Sequence, residues 1–235
     1  MALNSVSSKA PIGSDKMGIA IYADGAEISK LEEYASSPVI EGFTTNPSLM
    51  RKAGIKDYRT FAKTVLSLVK GKPVSFEVVS DEWDEMERQA KEIQSWGDNV
   101  FVKIPITNTK GESSYKLIKT CAELNLNVTA VMTRAQILEV EHWMRPHHIL
   151  SVFVGRITDT QRPILAPDST TKKFRWLWAS TREVYSIKRA AICGFDVITM
   201  TPDLLAKLTL EGKELNQYSL ETVRQFYEDG KGLTI

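Results

Sequence analysis

The sequence predicts an α/β fold, a (β/α)8 TIM barrel in a single domain. Short apolar, β-prone segments alternate with longer segments whose apolar residues recur at helical spacing. Eight segments of the short kind occur, nearly all separated by a helix. They are apolar on both sides, like strands of a parallel sheet buried on both faces. Eight such units in ~220 residues suit this barrel, for which ~250 is typical. A doubly wound open sheet is the rival, and it favours a Gly-rich turn after its first strand. That turn reads DGAEIS, without GxGxxG.

The strand segments in order are GIAIYAD (18–24), EGFTTN (41–46), PVSFEVV (73–79), NVFVKIP (99–105), LNVTAVM (126–132), HILSVFVG (148–155), FRWLWAS (174–180) and FDVITM (195–200). Between them DYRTFAKTVLSLVKG repeats apolar positions at i, i+3, i+4 and i+7 and stops on Gly71. DEWDEMERQAKEIQSWG opens with acids, which suit a helix N-terminus, and stops at Gly97. SSYKLIKTCAEL, RAQILEVEHWM, TREVYSIKRAAICG and PDLLAKL follow the same pattern, and SLETVRQFYEDG adds a last helix. Residues 1–17 lack the apolar stretch of a secretory signal and read as a disordered leader, leaving 18–235 for the barrel and its C-terminal helix.

Composition excludes several classes of function. The formal net charge is +1, so no basic excess is offered to a nucleic-acid backbone or an anionic membrane surface. No window approaches the ~18 uninterrupted apolar residues of a membrane span. Cys121 and Cys193 each fall inside an apolar helical pattern, which argues against a disulfide framework and for a reducing, cytoplasmic compartment. His142, His147 and His148 lack the spacing of a zinc motif, so no metal is expected, and they read as a solvated helix end.

In such a barrel the chemistry sits at the C-terminal ends of the strands, and inward side chains alternate. Seven strand ends supply polar groups: Asp24; Thr44 and Asn46; Ser75 and Glu77; Lys103; Asn127 and Thr129; Arg156; Ser180 and Arg182. Lys103 stands out. Desolvation inside an apolar strand lowers a lysine's pKa, and a neutral amine adds to carbonyls to form Schiff bases. The bland alternative is a snorkelling lysine or a structural pair with Glu77 or Asp24. Asp24 and Glu77 are the candidate proton handlers; Asp24 could instead cap the helix over 26–34. Ser180 and Arg182 are expected to open a helix after strand seven, where a hydroxyl, free N–H groups and a guanidinium suit a phosphate. STRE is equally a capping box. Arg156 could supply a second cation or pair with Asp159. Asn46 could merely cap a helix with Pro47 at N1.

Taken together these segments resemble the transaldolase family, which includes the fructose-6-phosphate aldolases, from about Ile19 to the C-terminus. GFTTNPSLM (42–50) is similar to the family's TTNPSL segment. By resemblance, VFVKIPIT (100–107) makes Lys103 the Schiff-base lysine, IYADGAEI (21–28) makes Asp24 the acid/base, and SFEV (75–78) puts Glu77 where transaldolases have Glu and the fructose-6-phosphate aldolases Gln. LNVTAVMT (126–133) implies Asn127 on substrate hydroxyls and Thr129 holding the catalytic water. SVFVGRI (151–157) implies Phe153 lining the site and Arg156 towards phosphate, and WASTRE (178–183) maps the phosphate element onto Ser180 and Arg182. The first motif departs from the family's Asp-Thr-Ala in reading Asp-Gly-Ala. The stretch between Arg156 and Ser180 is short and carries Pro163 and Pro167, which predicts a truncated, irregular or absent sixth helix.

The resemblance implies a class I transaldolase that passes a dihydroxyacetone unit from a ketose phosphate to an aldehyde through an imine on Lys103. Asn46 and Asn127 would orient hydroxyls. It implies no cofactor, small-molecule sugar phosphates as partners, and a homo-oligomer in which the last helix crosses to a neighbour. The rivals are an aldolase releasing free dihydroxyacetone, a phosphate-binding isomerase using Glu77 without an imine, and a sugar-phosphate-binding barrel with no turnover.

Overall fold

The computed structural model describes residues 18–168 and 172–234. The expected leader at 1–17 lies outside the described residues. Eight parallel strands close into one barrel: β1 (Ala20–Asp24), β2 (Ile40–Thr44), β3 (Val74–Glu77), β4 (Val100–Pro105), β5 (Leu126–Val131), β6 (Ile149–Val152), β7 (Arg175–Trp178) and β8 (Val197–Met200). Each pairs with its neighbours in chain order, and β8 closes on β1 with Tyr22 opposite Thr199. The helices are α1 (Ile28–Ala35), α2 (Pro47–Lys52), α3 (Tyr58–Leu68), α4 (Trp83–Gln94), α5 (Tyr115–Thr120), α6 (Arg134–Val140), α7 (Val154–Asp159), α8 (Ser186–Ile192), α9 (Pro202–Ala206) and α10 (Leu215–Asp229).

Local chemistry explains many of the boundaries. Asp57 caps α3 by accepting from the Thr60 N–H, and Thr133 with Gln136 forms a capping box on α6. Asn46 caps α2 by accepting from the Leu49 N–H, with Pro47 at the first helical position. Asp24 does not cap α1, which begins after Glu27. Its carboxylate is left for the barrel mouth.

Alternation sorts each strand into an outward set under the helices and an inward set. Tyr22, Ile149, Leu177, Ala179 and Val197 form a separate apolar plug, distinct from the larger core under the helices. Tyr22 dictates Gly42 on the next strand: a Cβ there would lie 2.5 Å from the phenol ring. Above this plug the inward side chains turn polar.

The helical layer is thin after β6. Helix α7 has six residues, and 162–168 carry no regular structure, as the two prolines predict. Aromatic packing covers the outer face of β7. Trp176 stacks on Phe174 at 6.0 Å between ring centres, and Trp178 meets the edge of Phe195 at 5.2 Å.

Two local expectations fail. Ser180 and Arg182 do not open a helix: α8 starts only at Ser186, after Tyr185, without a side-chain cap. Ser180 sits in the left-handed region at φ 62°, and the Thr181 hydroxyl donates to the Thr199 carbonyl, tying the segment to β8. That tertiary bond overrides the capping-box signal. His142 and His147 are exposed, but His148 is fully buried and not part of a solvated end. Its Nδ1 accepts from the Arg145 N–H, and its Nε2 donates to the Leu124 carbonyl. Both free cysteines lie at helix ends. No helix among the described residues is long and apolar enough to cross a membrane.

Helix α10 has no buried residue, and its Leu215, Phe226 and Tyr227 are 77%, 70% and 68% exposed.

Burial, then the neighbouring His147, pushes the His148 imidazole down to about 4. The unfolded chain takes up that proton near pH ~6.5, so stability falls with pH from there to about 4. In thermal melts across this window the wild-type midpoint should fall faster than that of His148→Gln. Parallel curves would contradict the assignment.

Candidate active site

The polar inward residues line a cavity of about 520 Å³ at the C-terminal mouth of the barrel. Lys103 arrives from the middle of β4 and is 6% exposed. Its Nζ lies 2.9 Å from Glu77 Oε2 and donates to the Thr45 carbonyl at 2.8 Å. The two side chains come from opposed positions of adjacent strands, because the β3–β4 register pairs Glu77 with Lys103. The ion pair of the bland alternative is therefore present, and it lies inside the cavity. A buried pair of this kind is weak evidence for stability. Tyr58 on α3 fixes the end of β3: its hydroxyl donates to the Glu77 carbonyl and accepts from the Glu77 N–H.

Asp24 ends β1 at the rim of the same cavity. Burial raises its pKa above the usual carboxylate range, and Glu77 adds to the rise. The Lys103 charge and a hydrogen bond from Thr44 pull the other way. Thr129 on β5 also lines the cavity, and its hydroxyl has no partner among the described residues. The next residue, Ala130, has φ 62° and sits where β5 slips register against β6. This bulge bends β5 at the cavity wall.

Asn46, Phe153, Arg156, Ser180 and Arg182 line the remaining wall. The Arg156 guanidinium lies over the Phe153 ring, 5.4 Å from its centre. Arg156 does not pair with Asp159. Arg182 takes that partner, donating from Nε at 3.1 Å and from Nη2 at 2.6 Å. Gly155 lets the two segments meet: a Cβ there would lie 1.7 Å from the Ser180 carbonyl oxygen. Only a residue without a side chain allows α7 and the Ser180 turn to pack this closely.

Nine of the ten predicted site residues thus share one cavity. Asn127 does not line it. It is fully buried, its amide donating to Ser75 Oγ at 3.0 Å and accepting from Ser151 Oγ at 2.7 Å. It braces β3, β5 and β6, with both ends of the amide occupied. Sequence reasoning passed over Ser151, Thr199 and Thr201, which also face the cavity. The period-two alternation Val197, Thr199, Thr201 was the available signal for the last two. Among the described residues no group of three or more His, Cys, Asp or Glu could hold a metal ion.

A lysine, two carboxylates and an unpaired hydroxyl thus meet at one barrel mouth, with two arginines on the far wall. The family model for transaldolase and fructose-6-phosphate aldolase matches residues 21–234. The chain belongs to the transaldolase/fructose-6-phosphate aldolase family. A probable transaldolase of Thermoplasma volcanium is 34% identical over 223 residues, 90% of this chain and 95% of that protein. Another, of Mesorhizobium japonicum, is 34% identical over 195 residues, 80% of this chain and 87% of that one. Among solved structures, a putative lyase/mutase of Burkholderia cenocepacia aligns with TM-score 0.56 at 12% identity, over 91% of this chain and 84% of that one. A dihydrodipicolinate synthase of Rhodopseudomonas palustris aligns at 0.51 and 13% identity, over 94% and 82%. At such identities these two show the barrel fold alone.

Proposed function

We propose that this member of the family is a transaldolase acting through a Schiff base on Lys103. The observation that carries the proposal is the Lys103 amine, buried in the cavity with Glu77 at 2.9 Å and Asp24 near enough to be influenced by its charge. A purely binding site has no need of a buried amine between two acids.

Glu77 takes a proton from Lys103 Nζ, and the amine adds to the C2 carbonyl of a ketose phosphate. The carbinolamine loses water, with the proton supplied from Glu77 through a water on the Thr129 hydroxyl. Asp24 accepts the C4 hydroxyl proton as the C3–C4 bond breaks. The electron pair passes into the protonated imine, which becomes an enamine. An aldose phosphate leaves, and the dihydroxyacetone unit stays on Lys103 until an aldehyde acceptor reverses the steps. Asn46 orients substrate hydroxyls. Arg156, Ser180 and the remaining Arg182 Nη1 hold the distal phosphate, and remote binding of this kind positions the reacting carbonyl. Asn127 supports this arrangement from below through Ser75 and Ser151.

The second reading is an aldolase of the same family that releases free dihydroxyacetone. Glu77, where the fructose-6-phosphate aldolases carry Gln, favours the transferase. We also propose that α10, with its exposed apolar residues, docks on a second copy of this chain.

Turnover of a six-carbon ketose phosphate should require an aldehyde acceptor, and Lys103→Met, checked for folding by thermal melt, should lose at least ~10³-fold in kcat. Acceptor-independent release of dihydroxyacetone would favour the aldolase, and an active Lys103→Met would contradict both readings. In sedimentation velocity the wild type should run as an oligomer and Phe226→Glu/Tyr227→Glu as a monomer. A monomeric wild type would contradict the docking of α10.

A further inference from the structure

Asp24 does not stand alone at the rim. Its Oδ1 accepts from the Thr44 hydroxyl at 2.8 Å, and Thr44 Oγ1 lies 2.6 Å from Thr199 Oγ1. Both threonines are buried, on the strands flanking β1 on either side. A hydroxyl has one proton to give. With Asp24 ionised, Thr44 gives its proton to the carboxylate, so Thr199 must be the donor between the two threonines. Every proton in the chain then has an acceptor at good distance.

With Asp24 protonated and donating to Thr44, the chain reverses. Thr199 would then donate elsewhere, and the protein acceptor in reach among the described residues is the Tyr22 carbonyl at 3.5 Å. That is the outer limit of a hydrogen bond. The ionised carboxylate thus gives every donor in the chain a close protein acceptor, whereas a protonated one, able to carry its proton on either oxygen, accepts more weakly from Thr44.

We propose that Thr199 is a positioning residue that acts through Thr44 to keep the Asp24 carboxylate ionised and oriented as a base. It opposes the effect of burial. The Thr199 backbone is itself held, since its carbonyl accepts from Thr181 at 2.8 Å. The charged groups acting on Asp24 across the cavity are Lys103 on β4 and Glu77 on β3. On its other flank Asp24 borders a groove of about 510 Å³ whose charged residues are Glu27, Lys30, Lys52 and Asp203. Hydrogen bonds to the charged form of a carboxyl favour that form, and a chain of them polarises each member.

The inference rests on the reading of Asp24 as the proton acceptor, but its first test does not. In the full chain, the Asp24 carboxyl carbon is titrated by ¹³C NMR and assigned by its loss in Asp24→Asn. Thr199→Val keeps the shape and removes the hydroxyl, and it should move the Asp24 midpoint up by about half a pH unit or more, ~threefold in proton affinity. Thr199→Ser should titrate like the wild type. Thr199→Ala, read in the same way, serves if the valine variant does not fold. A midpoint in Thr199→Val or Thr199→Ala that stays with the wild type, or one in Thr199→Ser that moves as far as theirs, overturns the proposal. In turnover the rising limb of the kcat–pH profile should shift upward by the same amount, with the ketose KM on the plateau unchanged. A shifted titration in a protein that turns over no ketose phosphate would leave the relay standing and remove the function.

Discussion

The contact between Lys103 and Glu77 sets the terms for the rest of the site. Two opposite charges at 2.9 Å, taken largely out of water, gain little net stability. Removing either partner alone would leave the other buried and uncompensated, at a cost of about 3–5 kcal/mol. Neighbouring elements converge on this pair. The β3–β4 register sets the two side chains opposite each other, Tyr58 pins the β3 backbone at Glu77, and the Thr45 carbonyl takes a second proton of the ammonium. The barrel provides what a pair of this kind requires, a rigid wall on all sides and one open end.

The far wall brings two cations, Arg156 and Arg182, to the same side of the cavity. Arg156 rides on α7, and Arg182 on the turn after β7. Gly155 and the left-handed Ser180 let these two segments pack, while Asp159 holds Arg182 side-on. Both side chains of that ion pair are about half exposed, so its value lies in fixing the guanidinium plane rather than in stability. The thin helical layer behind β6 and the tryptophan cover of β7 lie on the same side of the barrel.

The barrel was legible because its strands are short, apolar and evenly interrupted, and because period-two alternation does not depend on tertiary detail. The same alternation exposed Lys103, Asp24, Glu77 and Thr129. It also placed Asn127 on the inward face, correctly, but could not give its depth. Strand tilt in a closed barrel puts inward residues at different heights, and Asn127 falls below the floor of the cavity. STRE reads locally as a helix start, and one hydroxyl bond from Thr181 to β8 is enough to cancel it. His148 looked like its two exposed neighbours because nothing in the sequence shows that the Arg145 N–H and the Leu124 carbonyl close around its ring. Thr199 was passed over for a related reason. A threonine in an apolar strand is unremarkable until its neighbour across the closing seam is known.

The proposed transaldolase chemistry requires a covalent bond between Lys103 Nζ and substrate carbon. Borohydride reduction in the presence of a ketose phosphate, followed by mass mapping of the modified peptide, tests this most directly. The expected product is one reduced dihydroxyacetone adduct per chain, on Lys103. An adduct on any other lysine, or none in a protein that consumes the substrate, would contradict that chemistry.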